Sequence, residues 1–283
     1  MGSKSLNIRT NKPFSGGMMY MTNRDRLKFN NQWPPTPSTR LWTPADTTTI
    51  NWFDADDAST ITDGGGLVGI WADKSGGGHD LTATAKPQTG ITSINGLNTL
   101  YFDGSDFMSN ASFPIPTSGN LAIYTYAKID LIDDNIDSLF SMDGTSNDFQ
   151  FEADNVNNFV GRINVSDMGD DVQLTGGIQN GPSLFNINFD FTNGYYNAFI
   201  DGVQYAANTP YTSKLNASLS FKLFTNRGSA RNVQGECGEV IINEDCSETC
   251  RQTIEGYELH RFGTQANLPA GHPHKVNAPT VEI

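Results

Sequence analysis

Carboxylates are the groups in this chain whose spacing comes nearest to a catalytic pattern. If Phe149-Gln-Phe-Glu-Ala-Asp154 is a strand, Gln150, Glu152 and Asp154 share one face and Phe149, Phe151 and Ala153 the other. Paired carboxylates suit retaining glycoside hydrolysis, which needs an acid and a nucleophile about 5 to 5.5 Å apart. The series stops at two, because Val156 occupies the next alternate position. Gln150, Glu152 and Asp154 are therefore read as a solvated face. The histidines offer no nucleophile signature either: His260 lies in a helix-like run, His272 and His274 in a Pro-Gly tail, and His79 after a glycine run. Ser75-Gly76-Gly77-Gly78 lacks the Gly-Lys-Ser/Thr ending of a phosphate loop and reads as a turn. No catalytic residue is assigned, and the chain is expected not to be an enzyme.

Metal binding is the second chemistry to weigh. Asp54, Asp56, Asp57, Asp73, Asp103 and Asp106 fall close together in sequence, and calcium needs several oxygen ligands from carboxylates and loop carbonyls. A calcium site using Asp54, Asp56, Asp103 and Asp106 stands beside a plainer reading, in which these residues serve turns and caps; Asp103-Gly104 is itself a turn signal. No other cofactor is implied. Cys237, Cys246 and Cys250 are too few for a disulfide framework, and the last two, four apart on a helix, sit near the distance limit for a bridge. Three free thiols suit a reducing cytosol, and a zinc site adding His260 matches no common spacing.

The elements that would position these groups are strands. Leu121–Ile129, Asn158–Val165 and Ser183–Phe191 are rich in β-formers. In the last, Phe185, Ile187, Phe189 and Phe191 face a core, and Leu184, Asn186, Asn188 and Asp190 face water. Asp201-Gly202 between Tyr195–Ile200 and Val203–Ala206 predicts a type I′ hairpin. Leu219, Phe221 and Leu223 alternate on a further strand. Near the carboxyl end Asp245 or Ser247 can cap one helix whose Cys250, Ile254 and Tyr257 form a buried stripe and which Gly263 ends. With only 17% charged residues and 28 glycines, the chain is read as all-β, with antiparallel strands and tight turns.

Charge divides the chain. Residues 1–40 hold seven basic side chains against Asp25, a net +6, and the remainder holds 11 basic and 30 acidic groups, a net −19. Residues 1–44 show no period, and Trp33-Pro34-Pro35-Thr36-Pro37 must be extended. Such an arm has too little apolar surface to offset its ordering entropy, so a partner or sister subunit is expected to hold it. Arg9, Lys12, Arg24 and Arg26 supply charge for that docking, Trp33 and Tyr20 supply anchors, and Met18 and Met19 adaptable contacts. No apolar run reaches the roughly 18 residues of a membrane span or forms a signal-peptide core. Nucleic acid is not expected as a partner, because the acidic body would repel it.

Two cassettes carry a family resemblance. The first runs Trp52-Phe-Asp-Ala-Asp-Asp-Ala-Ser59, Trp71-Ala-Asp-Lys-Ser75 and Phe102-Asp-Gly-Ser-Asp-Phe107; the second is Gly238-Glu-Val-Ile-Ile-Asn243 with Ile254-Glu-Gly-Tyr-Glu-Leu-His-Arg-Phe-Gly263. In this order the chain resembles the concanavalin A-like, laminin-G-like jelly-roll domains of phage virion and bacterial surface proteins. The resemblance implies a jelly-roll sandwich of two antiparallel sheets over residues 45–283, one short C-terminal helix, and an extended arm over 1–44. It implies that Trp52 and Trp71 are core packing, and it adds weight to calcium at a sheet edge. Related glycosidases carry Glu-x-Asp-x-Glu on one strand, which Val156 breaks here.

The function expected is that of a non-enzymatic structural protein of a tailed-phage virion, a capsid decoration (cement) protein. Its arm would dock on other virion proteins such as the major capsid protein, as a homo-oligomer assembled in the host cytoplasm. The alternative is a carbohydrate-binding adhesin or tail-fibre receptor-binding module that takes a glycan. Tyr195, Tyr196 and Tyr211 are its candidate sugar contacts, although hairpin tyrosines commonly pack across strands.

Overall fold

The computed structural model of the chain describes residues 38–282 except 115–117, 132–135, 144–148, 155–159, 166–171, 175–180, 211–217, 227, 228, 230 and 246. The arm residues Arg9, Lys12, Met18, Met19, Tyr20, Arg24, Arg26 and Trp33 thus lie outside the described residues, as do Tyr211 and Cys246. In chain order the strands are β1 (Thr39–Leu41), β2 (Thr49–Asp54), β3 (Ile61–Gly64), β4 (Leu67–Trp71), β5 (Leu81–Thr82), β6 (Gln88–Ile94), β7 (Leu97–Asp103), β8 (Met108–Pro114), β9 (Asn120–Leu131) and β10 (Ile136–Asp143). They continue with β11 (Phe149–Asp154), β12 (Val160–Val165), β13 (Val172–Leu174), β14 (Ser183–Asp190), β15 (Tyr195–Ile200), β16 (Val203–Pro210), β17 (Ser218–Leu223), β18 (Gln234–Asn243) and β19 (Thr280–Glu282). One α-helix, α1, spans Glu248–Arg261. The unit that carries every feature below runs from Leu41 to Thr280, with Trp42 and Pro44 already buried in it.

The pairings among β2 to β18 are antiparallel. One arm of the ladder runs β16, β15, β14, β9, β18, β2. The other runs β8, β17, β10, β11, β12, β13. They are joined through β7, β6, β4 and β5. Where two separate sheets were expected, the described strands form one curled ladder, with β1 and β19 in a small sheet of their own. The long strand β18 makes the join: β9 lines one edge, while its other edge pairs with β7 through Gln234–Cys237 and with β2 through Glu239–Asn243.

The curl encloses one apolar cluster. Phe185, Ile187 and Phe189 of β14 meet Phe149 and Phe151 of β11, with ring centroids 4.8 Å apart for Phe149 and Phe189 and 5.6 Å for Phe151 and Phe185. Of the two tryptophans expected in the core, Trp71 is fully buried against Phe53, and Trp52 is buried outside the main apolar cluster, its Nε1 donating to Glu239. The hairpin closes as its sequence dictates: Asp201 and Gly202 sit at φ 50° and 77°, the left-handed pair of a type I′ turn. Ser247 caps α1, its Oγ accepting from Cys250 N at 3.2 Å, and Gly263 ends the helix at φ 73°. The glycine run at Ser75–Gly78 is a turn, tied down by Ser75 Oγ donating to Ile50 O at 2.8 Å.

Two polar faces depart from expectation. Gln150 and Glu152 are 3% and 1% exposed rather than solvated. On this face Ser138 Oγ donates to Gln150 Oε1, and Ser141 Oγ donates to Thr225 O of the segment after β17. Strand alternation separates the two faces correctly but does not tell that the polar one is buried as well. The face of β14 opposite the core is likewise dry, since Leu184, Asn186 and Asn188 are all buried. Helix α1 and the tail that follows it lie against this face: Arg251 packs over Phe199 at 4.1 Å, and Phe262 stacks on Tyr126 at 4.0 Å. Only the end of the face that bears Asp190 stays open.

Candidate functional site: a polar groove beside the terminal helix

Where α1 stops covering the sheet, a groove remains. Cross-strand register sets its floor: Asn120 of β9 pairs with Asp190 of β14, which pairs with Tyr195 of β15, and two rungs inward, on the same face, Asn188 pairs with Asn197. Side chains that share a rung share a face, so alternation alone brings these groups together. Asp245 and Ser247, at the start of α1, supply one wall, and Asn208 of β16 another. The groove has a volume of about 280 Å³.

Internal hydrogen bonds hold the lining in place. Asn197 Oδ1 accepts from Asn208 N at 2.9 Å and from Gln204 Nε2 at 3.0 Å, and Asn188 Oδ1 accepts from Asn186 Nδ2 at 2.9 Å. Each amide oxygen is thereby engaged, and the Nδ2 group is the donor left to offer a ligand. Asn208 sits at φ 45°, a left-handed conformation that asparagine tolerates and that lets its backbone N–H reach Asn197. Asp190 accepts from Asn193 N at 2.9 Å and from Asn193 Nδ2 at 2.8 Å, and these bonds, against a desolvation that works the other way, hold its carboxyl below the usual value. A hydrogen bond to Asp190, followed by the charge of that carboxylate, raises the pKa of the Tyr195 phenol. Asp245 Oδ1 accepts from Ser247 N at 2.8 Å. The result is a rigid concave surface of amides, carboxylates, a hydroxyl and one half-exposed tyrosine ring.

A second polar cluster lies farther along the same face, where the two cassettes meet. Arg261 of α1 pairs with Glu239 of β18 at 2.5 Å and with Asp54 of β2 at 2.7 Å, and Lys74 pairs with Asp54 at 3.0 Å and Asp57 at 2.8 Å. Trp52 Nε1 donates to Glu239, as does the Tyr257 hydroxyl at 3.2 Å. Glu239 and Glu258 are fully buried. Burial, outweighing the Arg261 charge, pushes the Glu239 carboxyl up to about 7 and that of Glu258 well above its usual range. This cluster binds helix to sheet from inside, which explains why the cassettes carry these residue types.

The sequence candidates are dispersed by this arrangement. Asp54 and Asp56 lie beside Arg261, at 2.7 and 3.9 Å, while Asp103 and Asp106 form a turn at the far end of β7, where Asp103 Oδ1 accepts from Ser105 N at 2.8 Å. Asp54 pairs with Glu239 and Asp103 with Gln234, five residues apart on β18, or about 17 Å at strand rise. The four aspartates therefore do not converge on one ion, and among the described residues no group of three or more His, Cys, Asp or Glu is arranged to hold a metal. The thiols are separated too: Cys237 is buried in β18, and Cys250 Sγ lies 3.6 Å from Thr47 Oγ1. His260 Nε2 is bound to His274 O at 2.7 Å. Of the tyrosines, Tyr196 packs in the core and Tyr195 lines the groove. The groove amides carried a faint signal, polar residues at alternate positions of β14, but nothing local tells which of them the helix leaves uncovered.

No protein-family model matches the chain, and no curated protein sequence does. Solved structures are similar in fold. Domain 4 of AbnA, a GH43 extracellular arabinanase from Geobacillus stearothermophilus solved in complex with arabinotriose, has a TM-score of 0.56 at 15% identity and covers 70% of this chain and 92% of its own. A botulinum neurotoxin type C structure, whose cell entry depends on interaction with two ganglioside molecules, has a TM-score of 0.53 at 11% identity, covering 74% and 50%. Trypanosoma rangeli sialidase has a TM-score of 0.52 at 9% identity, covering 79% and 35%. This chain thus spans about half of the neurotoxin structure and a third of the sialidase. At these identities the likeness is one of fold, an all-β antiparallel domain.

Proposed function

We propose that this domain is a carbohydrate-binding module of concanavalin A-like jelly-roll type, and that the groove between the sheet and the start of α1 is its sugar site. The observation that carries the reading is the lining: Asn188 and Asn197 present amide donors, Asp190 and Asp245 acceptors, and Tyr195 an aromatic face, all on fixed strands. Sugars present adjacent hydroxyls that donate and accept at once, and an apolar C–H face that packs on an aromatic ring. A shallow groove with few apolar atoms suits such a ligand better than an apolar cofactor. The shared fold of the arabinanase domain solved with arabinotriose lends support.

The reading is of binding without cleavage. Asp190, the carboxylate on the groove floor, has both oxygens engaged by Asn193 and is held ionised, which suits an acceptor and not a proton donor. The virion-decoration role with its capsid partners rests on the arm, whose residues lie outside the described ones; the described domain supports the carbohydrate alternative better. Glycan-array binding followed by titration calorimetry tests it. The expected outcome is binding of at least one oligosaccharide class, weakened about fivefold in Tyr195→Ala with the melting temperature unchanged, since an exposed aromatic contact contributes on the order of 1 kcal/mol. Undiminished binding by that variant would move the site elsewhere.

A further inference from the structure

Resting on the sugar-site reading, we infer that Asn188 and Asn197 form a paired N–H clamp for one carbonyl oxygen, and that the groove therefore selects oligosaccharides bearing an acetamido group. The two residues are register partners on β14 and β15, and side chains on such a rung stand about 4.5–5.5 Å apart at Cβ. Both line the groove, although Asn188 is only 5% exposed. Which atoms they present is fixed by main-chain groups behind them. Asn186 Nδ2 donates to Ile123 O at 3.1 Å, so the Asn188 atom that it meets at 2.9 Å is the acceptor Oδ1. On the other strand Asn208 N donates to Asn197 Oδ1 at 2.9 Å, with Gln204 Nε2 beside it at 3.0 Å. A backbone carbonyl or N–H has one polarity, so neither amide can turn over without losing its bonds. The Asn197 oxygen is drawn toward β16, which leaves its Nδ2 on the side of β14, where Asn188 stands. Among the described residues neither Nδ2 has a protein acceptor.

Two donors at that spacing bracket a single oxygen, with an N–H···O bond of about 2.9 Å on each side. A sugar hydroxyl that accepted both bonds would still have its own proton to place, whereas a carbonyl accepts through two lone pairs and has no proton to give. The uncharged carbonyl that sugars carry is that of an acetamido group. Its N–H needs an acceptor and its methyl an apolar surface, and the lining supplies both in the Asp245 carboxylate and the Tyr195 ring. Because the amides are held rigidly, they do not rearrange to suit another group. A hydroxyl in place of the acetamido leaves the clamp partly unpaired, which lowers affinity about tenfold.

The test uses the full chain and matched oligosaccharides of gluco and galacto configuration that carry an acetamido group, a hydroxyl or, as uronic acids, a carboxylate. The acetamido member should bind about tenfold or more tightly than its hydroxyl counterpart. Asn197→Asp keeps the bonds accepted from Asn208 and Gln204 but turns the ligand-facing donor into an acceptor, so the ratio should fall to about twofold or less. A second readout needs no variant: in nuclear magnetic resonance titrations the side-chain amide signals of Asn188 and Asn197 should shift with the acetamido member and not with the hydroxyl member. Equal or tighter binding of the hydroxyl or the uronic-acid member by the unaltered protein would overturn the acetamido clamp while leaving the sugar site standing. An acetamido preference without any shift of those two amide signals would overturn it as well. Failure to bind any glycan would overturn both readings.

Discussion

At the residue scale the most consequential group is Arg261. Its guanidinium is shared by Glu239, fully buried, and Asp54, nearly so, with the buried Glu258 close by. Removing one partner of a buried ion pair leaves an uncompensated charge, which costs about 3–5 kcal/mol. Arg261→Leu is therefore expected to lose about that much stability at pH 8 by chemical denaturation. The loss should be smaller at pH 5, because Glu239, freed of the Arg261 field, stays protonated and neutral there. A loss independent of pH would show that Arg261 acts through packing on Phe262, 5.5 Å away, and not through charge. The same cluster could be only partly read from sequence. Trp52, Asp54, Glu239 and Arg261 stand out as cassette residues, but Asp54 suggested an ion ligand until its partner arrived from 207 positions away.

At the element scale α1 decides what is open and what is dry. Its stripe is not apolar in the usual sense: besides Cys250, Ile254 and Leu259 it buries Arg251, Glu255 and Glu258. It docks through charge pairs and one close approach. At Gly238 of β18 a Cβ would meet Phe262 Cζ at 2.6 Å, so the ring that stacks on Tyr126 rests directly on glycine backbone. Gly238→Ala should displace that ring and destabilise by about 1–3 kcal/mol as an overpacked contact, read as a lowered midpoint in urea. Ser247→Ala removes the cap, and about 1 kcal/mol is expected from that loss. Because Ser247 also lines the groove, its variant should weaken sugar binding as well. A cap variant with unchanged stability would mean that Asp245 takes over the orphan N–H groups. The helix, its cap residue and its end were all legible in the sequence, whereas the face it would cover was not.

At the scale of the whole molecule, buried acids govern the response to pH. Glu239 is raised to about 7 and Glu258 well above its usual value, both chiefly by burial. Asp201 and Asp106 are each raised to about 6, again by desolvation. Unfolded carboxyls titrate near 4, so between about pH 4 and 7 the folded chain holds more protons than the unfolded one. Stability then falls as pH rises through that window. Asp57, lowered to about 2 by its bond to Lys74, works in the opposite direction, but only below about pH 4. The melting temperature is expected to be higher at pH 5 than at pH 7.5, and Glu239→Gln should flatten the slope. An unchanged slope in that variant would assign the effect to the general repulsion of a chain with net charge −13.

The sequence by itself determined the local and the periodic. The β14 alternation, the Asp201-Gly202 turn, the Ser247 cap, the Gly263 stop and the burial of Trp71 follow from backbone geometry and hydrophobic period, which act over a few residues. Tertiary structure alone decided which polar residues are wet. Gln150 and Glu152 are dry although they share the polar face of their strand, and Asn186 is dry where α1 and its tail lie, while Asp190 and Tyr195, a few residues away, stay open. Burial is a property of what arrives from elsewhere in the chain, and no local pattern records it. That is why the aspartates of the first cassette suggested a single ion site and were dispersed, and why the groove assembled from strands β9, β14, β15 and β16 and the start of α1 could only be found once those elements were side by side.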